Sequence, residues 1–135
     1  MAECVNSGAH VTDRTDSVFR FIHVGNTNGD GTLNSGSFSL RRDNAVSLGL
    51  ASRIGARFEA FCELKPEQGV ARLSVGSILD LTLGIHSDPE PEWGEFMDAH
   101  FVLCGYEHLS NRKKEEIGRR LRDIANGNIV KHPPQ

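Results

Sequence analysis

Short apolar runs in which hydrophobic and polar positions alternate indicate β-strands along much of the chain. The first run is rich in aromatic and β-branched residues, and alternation places Phe19, Phe21 and His23 on one of its faces. Both faces are largely apolar, which predicts that this strand is covered on both sides. Residues 25–34 follow with Asn-Gly and Asp-Gly, dipeptides typical of a tight hairpin turn. The predicted strands are residues 18–24, 35–40, 45–48, 69–75, 99–104 and 128–131.

Two longer segments change to a helical period, with apolar side chains recurring every three to four positions. They are residues 50–64 and residues 111–125. Ser110 or Asn111 can cap the second of these helices, and Ser77 can cap a short helix between them. This order of strands and helices predicts an α+β fold, in which two main helices pack on a small, mainly antiparallel, curved sheet.

Length and composition fit a single domain, since the chain has 135 residues, 38% of them hydrophobic and 24% charged. We therefore expect a flexible N-terminal arm at residues 1–16, one α+β domain at residues 17–131 and a C-terminal tail at residues 132–135. No apolar run approaches the ~20 residues of a membrane-spanning helix. The N-terminus has no signal-peptide pattern. These features are typical of a soluble, cytoplasmic, bacterial-type protein.

Several common catalytic patterns are missing from the sequence. Cys4, Cys62 and Cys104 are too widely spaced for a disulfide framework or a zinc knuckle, and the latter two are expected in the core. The six histidines form no His-x-x-x-His pair. Gly-x-Ser-x-Gly and the glycine-rich nucleotide motifs are also missing. These observations disfavour a zinc enzyme, a serine hydrolase and a dinucleotide-binding fold, and no metal site is predicted.

The segment that starts at Asn26 has the spacing of a calcium-binding loop. Asn26, Asn28 and Asp30 occupy the first, third and fifth positions, and Gly31 the sixth. However, Ser37 stands at the twelfth position, where a bidentate carboxylate belongs. One carboxylate is too little charge for a normal calcium site, so a polar hairpin turn is the better interpretation.

Polar residues inside apolar strands are the best candidates for a functional site. His23 and His100 are either hydrogen-bonded core histidines or acid/base groups that face one cleft. Arg20 can bind an anionic ligand through its planar guanidinium, or form a structural ion pair. The serines near predicted strand ends are further candidate ligand contacts: Ser35, Ser37 and Ser47.

The last predicted helix is strongly basic. It carries Arg112, Lys113, Lys114, Arg119, Arg120 and Arg122, six of the fifteen lysines and arginines of the chain. A solvated amphipathic face explains this charge, and a docking surface for nucleic acid or an acidic protein partner is the alternative. The net charge of −3 argues against a general nucleic-acid binder.

The order of several short motifs resembles a group of small uncharacterised bacterial proteins. The motifs are Arg20-x-x-His23, Ser35-x-x-Phe38, Asp88-Pro89-x-Pro91 and Ala99-His100. The resemblance extends over about residues 18–104. It brings no established activity with it.

A second, fainter resemblance is to the ADP-ribosyltransferase-like fold, in which a polar residue of the first strand and a later serine or tyrosine hold NAD. The resemblance implies that His23 is the first of these, and Ser35, Ser37 or Ser47 the second. The glutamate that activates the acceptor in many such enzymes has no match here. Two functions stay open: a small-ligand or nucleotide-handling protein that uses NAD or a nucleotide, and a non-catalytic interaction or regulatory module that uses the basic helix.

Overall fold

The computed structural model describes residues 10–41 and 46–133 and contains one six-stranded sheet. All neighbouring strands are antiparallel. The strand order is β4-β5-β2-β1-β3-β6, which places β1 and β2 in the centre. The strands are β1 (Ser17–Ile22), β2 (Ser47–Leu50), β3 (Gly69–Ser74), β4 (Gly84–Ser87), β5 (His100–Cys104) and β6 (Ile129–Lys131). The sheet is curved and unclosed, so the predicted single-domain α+β class is confirmed.

The described residues form four α-helices and several 3-10 segments. The helices are α1 (Ala51–Ile54), α2 (Phe58–Cys62), α3 (Val75–Asp80) and α4 (Asn111–Asn126). The 3-10 segments are Val24–Asn26, Ser35–Phe38, Gly55–Arg57 and Pro91–Ala99. As predicted, Ser110 caps α4: its hydroxyl accepts a hydrogen bond from the amide of Lys113.

Each face of the sheet packs against its own hydrophobic cluster. On one face, Val18 and Ile22 of β1 meet Ile117 and Leu121 of α4 in the larger cluster. On the other face lies an aromatic cluster centred on Phe61, whose ring stacks on one neighbour and meets two others edge-on. Its ring partners include Phe19, Phe21, Trp93 and Phe96. Burial on both faces explains why β1 is apolar at odd and even positions alike.

The predicted helix at residues 50–64 is interrupted. Gly55 has a φ of +58°, a conformation that glycine adopts without steric cost, and it ends α1 after one turn. A 3-10 turn follows, and the helical path resumes in α2. Leu50, the first residue of the expected helical stripe, belongs to β2. The apolar spacing survives the interruption because Ile54 and Phe61 still reach the same cluster.

The strand predicted at residues 35–40 was wrong, since Ser35–Phe38 is a 3-10 turn. The side chain of Asn34 accepts a hydrogen bond from the amide of Gly36, which caps this turn and competes with an extended conformation. A similar cap makes α3 begin earlier in the chain than the predicted cap at Ser77 implies. Ser74 rather than Ser77 is the cap, and its hydroxyl accepts from the Ser77 amide.

The described parts of the chain ends lie against the domain. The amide of Val11 donates to the carbonyl of Ile85 in β4, and Arg14 pairs with Asp80. The rest of the expected arm, residues 1–9, lies outside the described residues, as do residues 42–45 and 134–135. Cys62 and Cys104 are both buried, as expected. Cys62 is a free thiol, whereas Cys104 is disulfide-bonded, so the expectation of no disulfide was wrong.

Helix α4 approaches the 3-10 turn Ser35–Phe38 so closely that it requires glycine at position 118. A Cβ atom on Gly118 would lie 2.5 Å from the carbonyl oxygen of Phe38. We expect Gly118→Ala to lower the free energy of unfolding by about 1–3 kcal/mol, because this overpacking exceeds the gain in helix propensity. Urea unfolding measures the change. Gly29→Ala, where a Cβ would meet nothing within 4 Å, is the control, and equal stability of the two variants would contradict the packing argument.

Candidate functional site

A polar cleft opens where β1 is no longer paired with β2. β1 pairs with β3 along its full length, from Ser17 to Ile22, but with β2 only at Val18 and Phe19. The resulting gap in the sheet leads into a cleft of about 740 Å³. Its lining comes from the end of β1, the first residues of β2 and β5, the connection before β3 and the start of the 3-10 segment Pro91–Ala99.

Four of the six predicted site residues line this one cleft: Arg20, His23, Ser47 and His100. The two other serines are placed differently. Ser37 is buried away from the cleft, and its hydroxyl donates to the carbonyl of Asn34, which is a role within the 3-10 turn. The side chain of Ser35 lies outside what the structure describes.

Arg20 spans the gap between β1 and β2. Its Nη1 donates to the carbonyl oxygen of Ser47 at 3.1 Å, and its guanidinium lies 5.8 Å from the ring centre of Phe38. Its Nε is buried and has no hydrogen-bond partner, and no carboxylate within the described part of the chain pairs with it. Burial lowers the pKa of Arg20 from its ordinary value to about 10, and the electrostatic interaction with Tyr106 partly opposes this shift. Arg20 is therefore a cation without a counter-ion.

His100 is buried at the start of β5, with 5% of its surface exposed. Its Nδ1 donates to the carbonyl oxygen of Asp88, and the carboxylate of Asp88 lies 3.6 Å from the same nitrogen. The indole of Trp93 packs edge-on against the imidazole at 4.6 Å. Because Nδ1 is engaged in this way, Nε2 is the nitrogen left for a molecule in the cleft.

His23 stands at the entrance of the cleft and is exposed. Its Nδ1 accepts a hydrogen bond from the amide of Gly25 at 3.0 Å and so caps the 3-10 turn that follows β1. This is a local role in the chain turn, and it leaves Nε2 free of protein partners among the described residues. The buried-core interpretation of His23 was therefore wrong, and that of His100 agrees with its burial.

The cleft also contains residues that the sequence did not single out. Two of them are Lys65, whose Nζ lies 5.9 Å from the ring centre of Phe21, and Trp93, which is 6% exposed. The others are Leu64 and the polar residues Glu67, Gln68, Glu90 and Glu92. Asn26, the first residue of the segment with calcium-loop spacing, also lines the cleft. Sequence patterns gave no signal for these glutamates because exposed carboxylates are common in connections.

The segment with calcium-loop spacing is a turn in which Asp30 bonds to a neighbouring residue of the same turn. One oxygen of Asp30 accepts hydrogen bonds from both the amide and the hydroxyl of Thr32, which lowers the pKa of Asp30. Asn28 donates to the same hydroxyl. Within residues 10–41 and 46–133 no group of acidic, histidine or cysteine side chains is arranged to hold a metal ion.

The basic residues of α4 are partly neutralised. Glu116 pairs with Lys113 and Arg120, and Arg41 pairs with Glu115. These exposed pairs explain much of the charge pattern as a solvated helix face.

Comparison of the chain with protein-family models, with curated proteins and with solved structures finds no match in any of the three. In the described part of the chain, no helix has the length and apolar character needed to cross a membrane. The chemistry of the cleft therefore has to be read from its own residues.

Because Arg20 is desolvated without a carboxylate, we expect Arg20→Met to leave the protein equally stable or up to about 2 kcal/mol more stable at pH 7. The cost of burying the charge persists below the folded pKa of about 10 and is relieved as pH rises from there toward the higher pKa of Arg20 in the unfolded chain. The stability difference between the two proteins should accordingly shrink above pH 10. Urea unfolding measures both effects, and a large loss of stability in Arg20→Met would identify the residue as structural.

We expect excess Ca²⁺ to leave the melting temperature unchanged, because the only carboxylate of the loop is already hydrogen-bonded to Thr32. A thermal melt with and without the ion checks this. A clear upward shift that disappears in Asp30→Asn would restore the calcium interpretation.

Proposed function

We propose that the cleft binds a small anionic ligand, and that the protein is a small-molecule- or nucleotide-handling protein. The observation that carries the proposal is Arg20, a half-buried side chain on the cleft wall whose Nε is buried without a hydrogen-bond partner and which has no carboxylate partner among the described residues. A phosphate or carboxylate of a ligand would supply the missing counter-charge and fit the planar donor geometry of the guanidinium.

The histidines support the same proposal. His23, which directly follows β1, and His100, at the start of β5, line one cleft, and each has its Nδ1 engaged by the protein backbone. Their Nε2 atoms are left for a ligand, as hydrogen-bonding or acid/base groups. Trp93 and Phe21 add aromatic surface at the same place. The volume of about 740 Å³ suits a ligand of nucleotide size.

An interaction surface on α4 remains the alternative proposal. Arg112, Lys114 and Arg119 form no ion pair with a described residue and would be available to an acidic partner or a nucleic acid. The cleft is the better-supported site because the Nε of its cation is buried without a partner, whereas Arg112 and Arg119 of α4 are exposed and cost little to leave unpaired.

The proposal is tested by thermal-shift measurements with phosphate, AMP, ADP-ribose and NAD. A ligand at about 100 times its dissociation constant stabilises by about 2.7 kcal/mol, which corresponds to a shift on the order of 5–10 °C for a domain of this size. We expect the shift to disappear in Arg20→Met and to persist in Arg72→Met. Arg72, in neighbouring β3, is exposed and bonds to Ser17 outside the cleft. No shift with any of these ligands would contradict the proposal.

His23→Ala separates a binding role from a structural one. His23 is exposed and contributes one capping hydrogen bond, so the variant should lose no more than about 1 kcal/mol of stability while binding weakens. His108→Ala, also exposed but outside the cleft, is the matched control and should bind normally. Unchanged binding in both variants would exclude His23 from the site.

A further inference from the structure

The carboxylates of the cleft come from two connecting segments rather than from the sheet. Glu67 lies in the connection between α2 and β3, and Glu90 and Glu92 lie at the start of the 3-10 segment Pro91–Ala99. None of the three forms an ion pair with a described residue. The one hydrogen bond among them is a long contact of 3.5 Å, from the amide of Glu92 to a carboxylate oxygen of Glu90. Glu67 and Glu92 are exposed, so water hydrates them in the free protein. Ionised carboxylates only accept hydrogen bonds, so a molecule that fills the cleft and displaces this water has to offer them donors.

His100 adds an acceptor of a different kind. It is more than nine-tenths buried, and its Nδ1–H is committed to the carbonyl oxygen of Asp88. The Nε2 lone pair has no partner among the described residues, and the residue lines the cleft. A ligand that displaces water from this nitrogen has to offer it a hydroxyl or ammonium donor, because an acceptor that is desolvated without a donor is costly.

We infer that the ligand joins its anionic group to a body rich in hydrogen-bond donors, as sugar phosphates and nucleotides do. This inference rests on the proposed function, since it requires Arg20 to hold the anion. The three glutamates repel a second anionic group and weaken the binding of a bare anion. They strengthen the binding of a ligand whose hydroxyl groups reach them, because hydrogen bonds to charged acceptors are stronger than neutral ones. The cleft thus selects by donor content as well as by charge.

Isothermal titration with inorganic phosphate, ribose 5-phosphate, phosphoethanolamine and succinate tests the inference. We expect ribose 5-phosphate to bind at least about tenfold more tightly than phosphate, which corresponds to one charge-assisted hydrogen bond. Phosphoethanolamine has an ammonium group in place of hydroxyls, so its affinity relative to ribose 5-phosphate identifies the preferred donor. Succinate, with two anionic ends and no donor, should bind more weakly than either. Binding of phosphate or succinate as tight as that of both donor-bearing ligands would overturn the inference.

A double variant, Glu90→Gln with Glu92→Gln, is expected to change the affinities for phosphate and for ribose 5-phosphate in opposite directions. Removing two negative charges should leave phosphate binding unchanged or tighter, while ribose 5-phosphate binding weakens about tenfold. Tighter binding of both ligands would mean that the glutamates only repel, and the inference would fail. Glu95→Gln is the control, because Glu95 belongs to the same 3-10 segment but pairs with Arg57 outside the cleft.

Failure of the inference can be distinguished from failure of the proposed function. If the anions bind with equal affinity and lose it in Arg20→Met, the cleft is an anion site without donor selection. If none of the four ligands binds, or if binding persists in Arg20→Met, the proposed function itself is wrong and the inference falls with it. If ribose 5-phosphate binds, and if this binding needs Arg20, His100 and the two glutamates, both the proposed function and the inference are supported. His100→Gln is the variant that tests the acceptor on Nε2.

Discussion

Strand β1 has a neighbour on each side and packed side chains on each face, and this double burial constrains the whole domain. Val18 and Ile22 must meet the cluster under α4, while Phe19 and Phe21 must meet the aromatic cluster around Phe61. A residue in such a strand is expected to be apolar, because a buried charge loses its hydration and its interactions in the protein rarely offset that loss. Arg20 is the exception in β1, and its cost is visible in its lowered pKa.

The cleft is a geometric consequence of how β1 is paired. β3 follows β1 along six residues, whereas β2 turns away after two, so the second half of β1 lacks a partner on that side. The backbone there would otherwise present unpaired polar groups, and the guanidinium of Arg20 reaches the carbonyl of Ser47 across the gap. The same side chain therefore satisfies the carbonyl of Ser47 and places an unpaired cation in a polar cavity.

The elements that could be predicted are those whose signals lie within a few residues. Helix α4 has a continuous stripe and a serine cap, and β5 is an unbroken apolar run, so both were placed to within about two residues. The Ser35–Phe38 turn and the break at Gly55 were missed for physical reasons. At residues 35–38, the side-chain cap at Asn34 outweighed a weak alternation of apolar and polar residues. At Gly55, a positive φ divided the helix even though the apolar stripe of the sequence is continuous. Neither effect changes the hydrophobic pattern.

The residues of the cleft also differ in whether the sequence could predict them. Arg20 and His100 stand out in the sequence because a polar residue in an apolar strand has to be explained, and both line the cleft. Glu67, Glu90 and Glu92 have no such contrast with their neighbours, so only the folded chain shows that they share the cavity.

The division of the site between sheet residues and connection residues has a functional meaning under the proposed function. The sheet fixes the cation within a rigid framework, and the connections supply the acceptors, which can change by substitution without disturbing either hydrophobic cluster. Charge recognition would then be set by the core of the fold, and ligand selectivity by the segments around it.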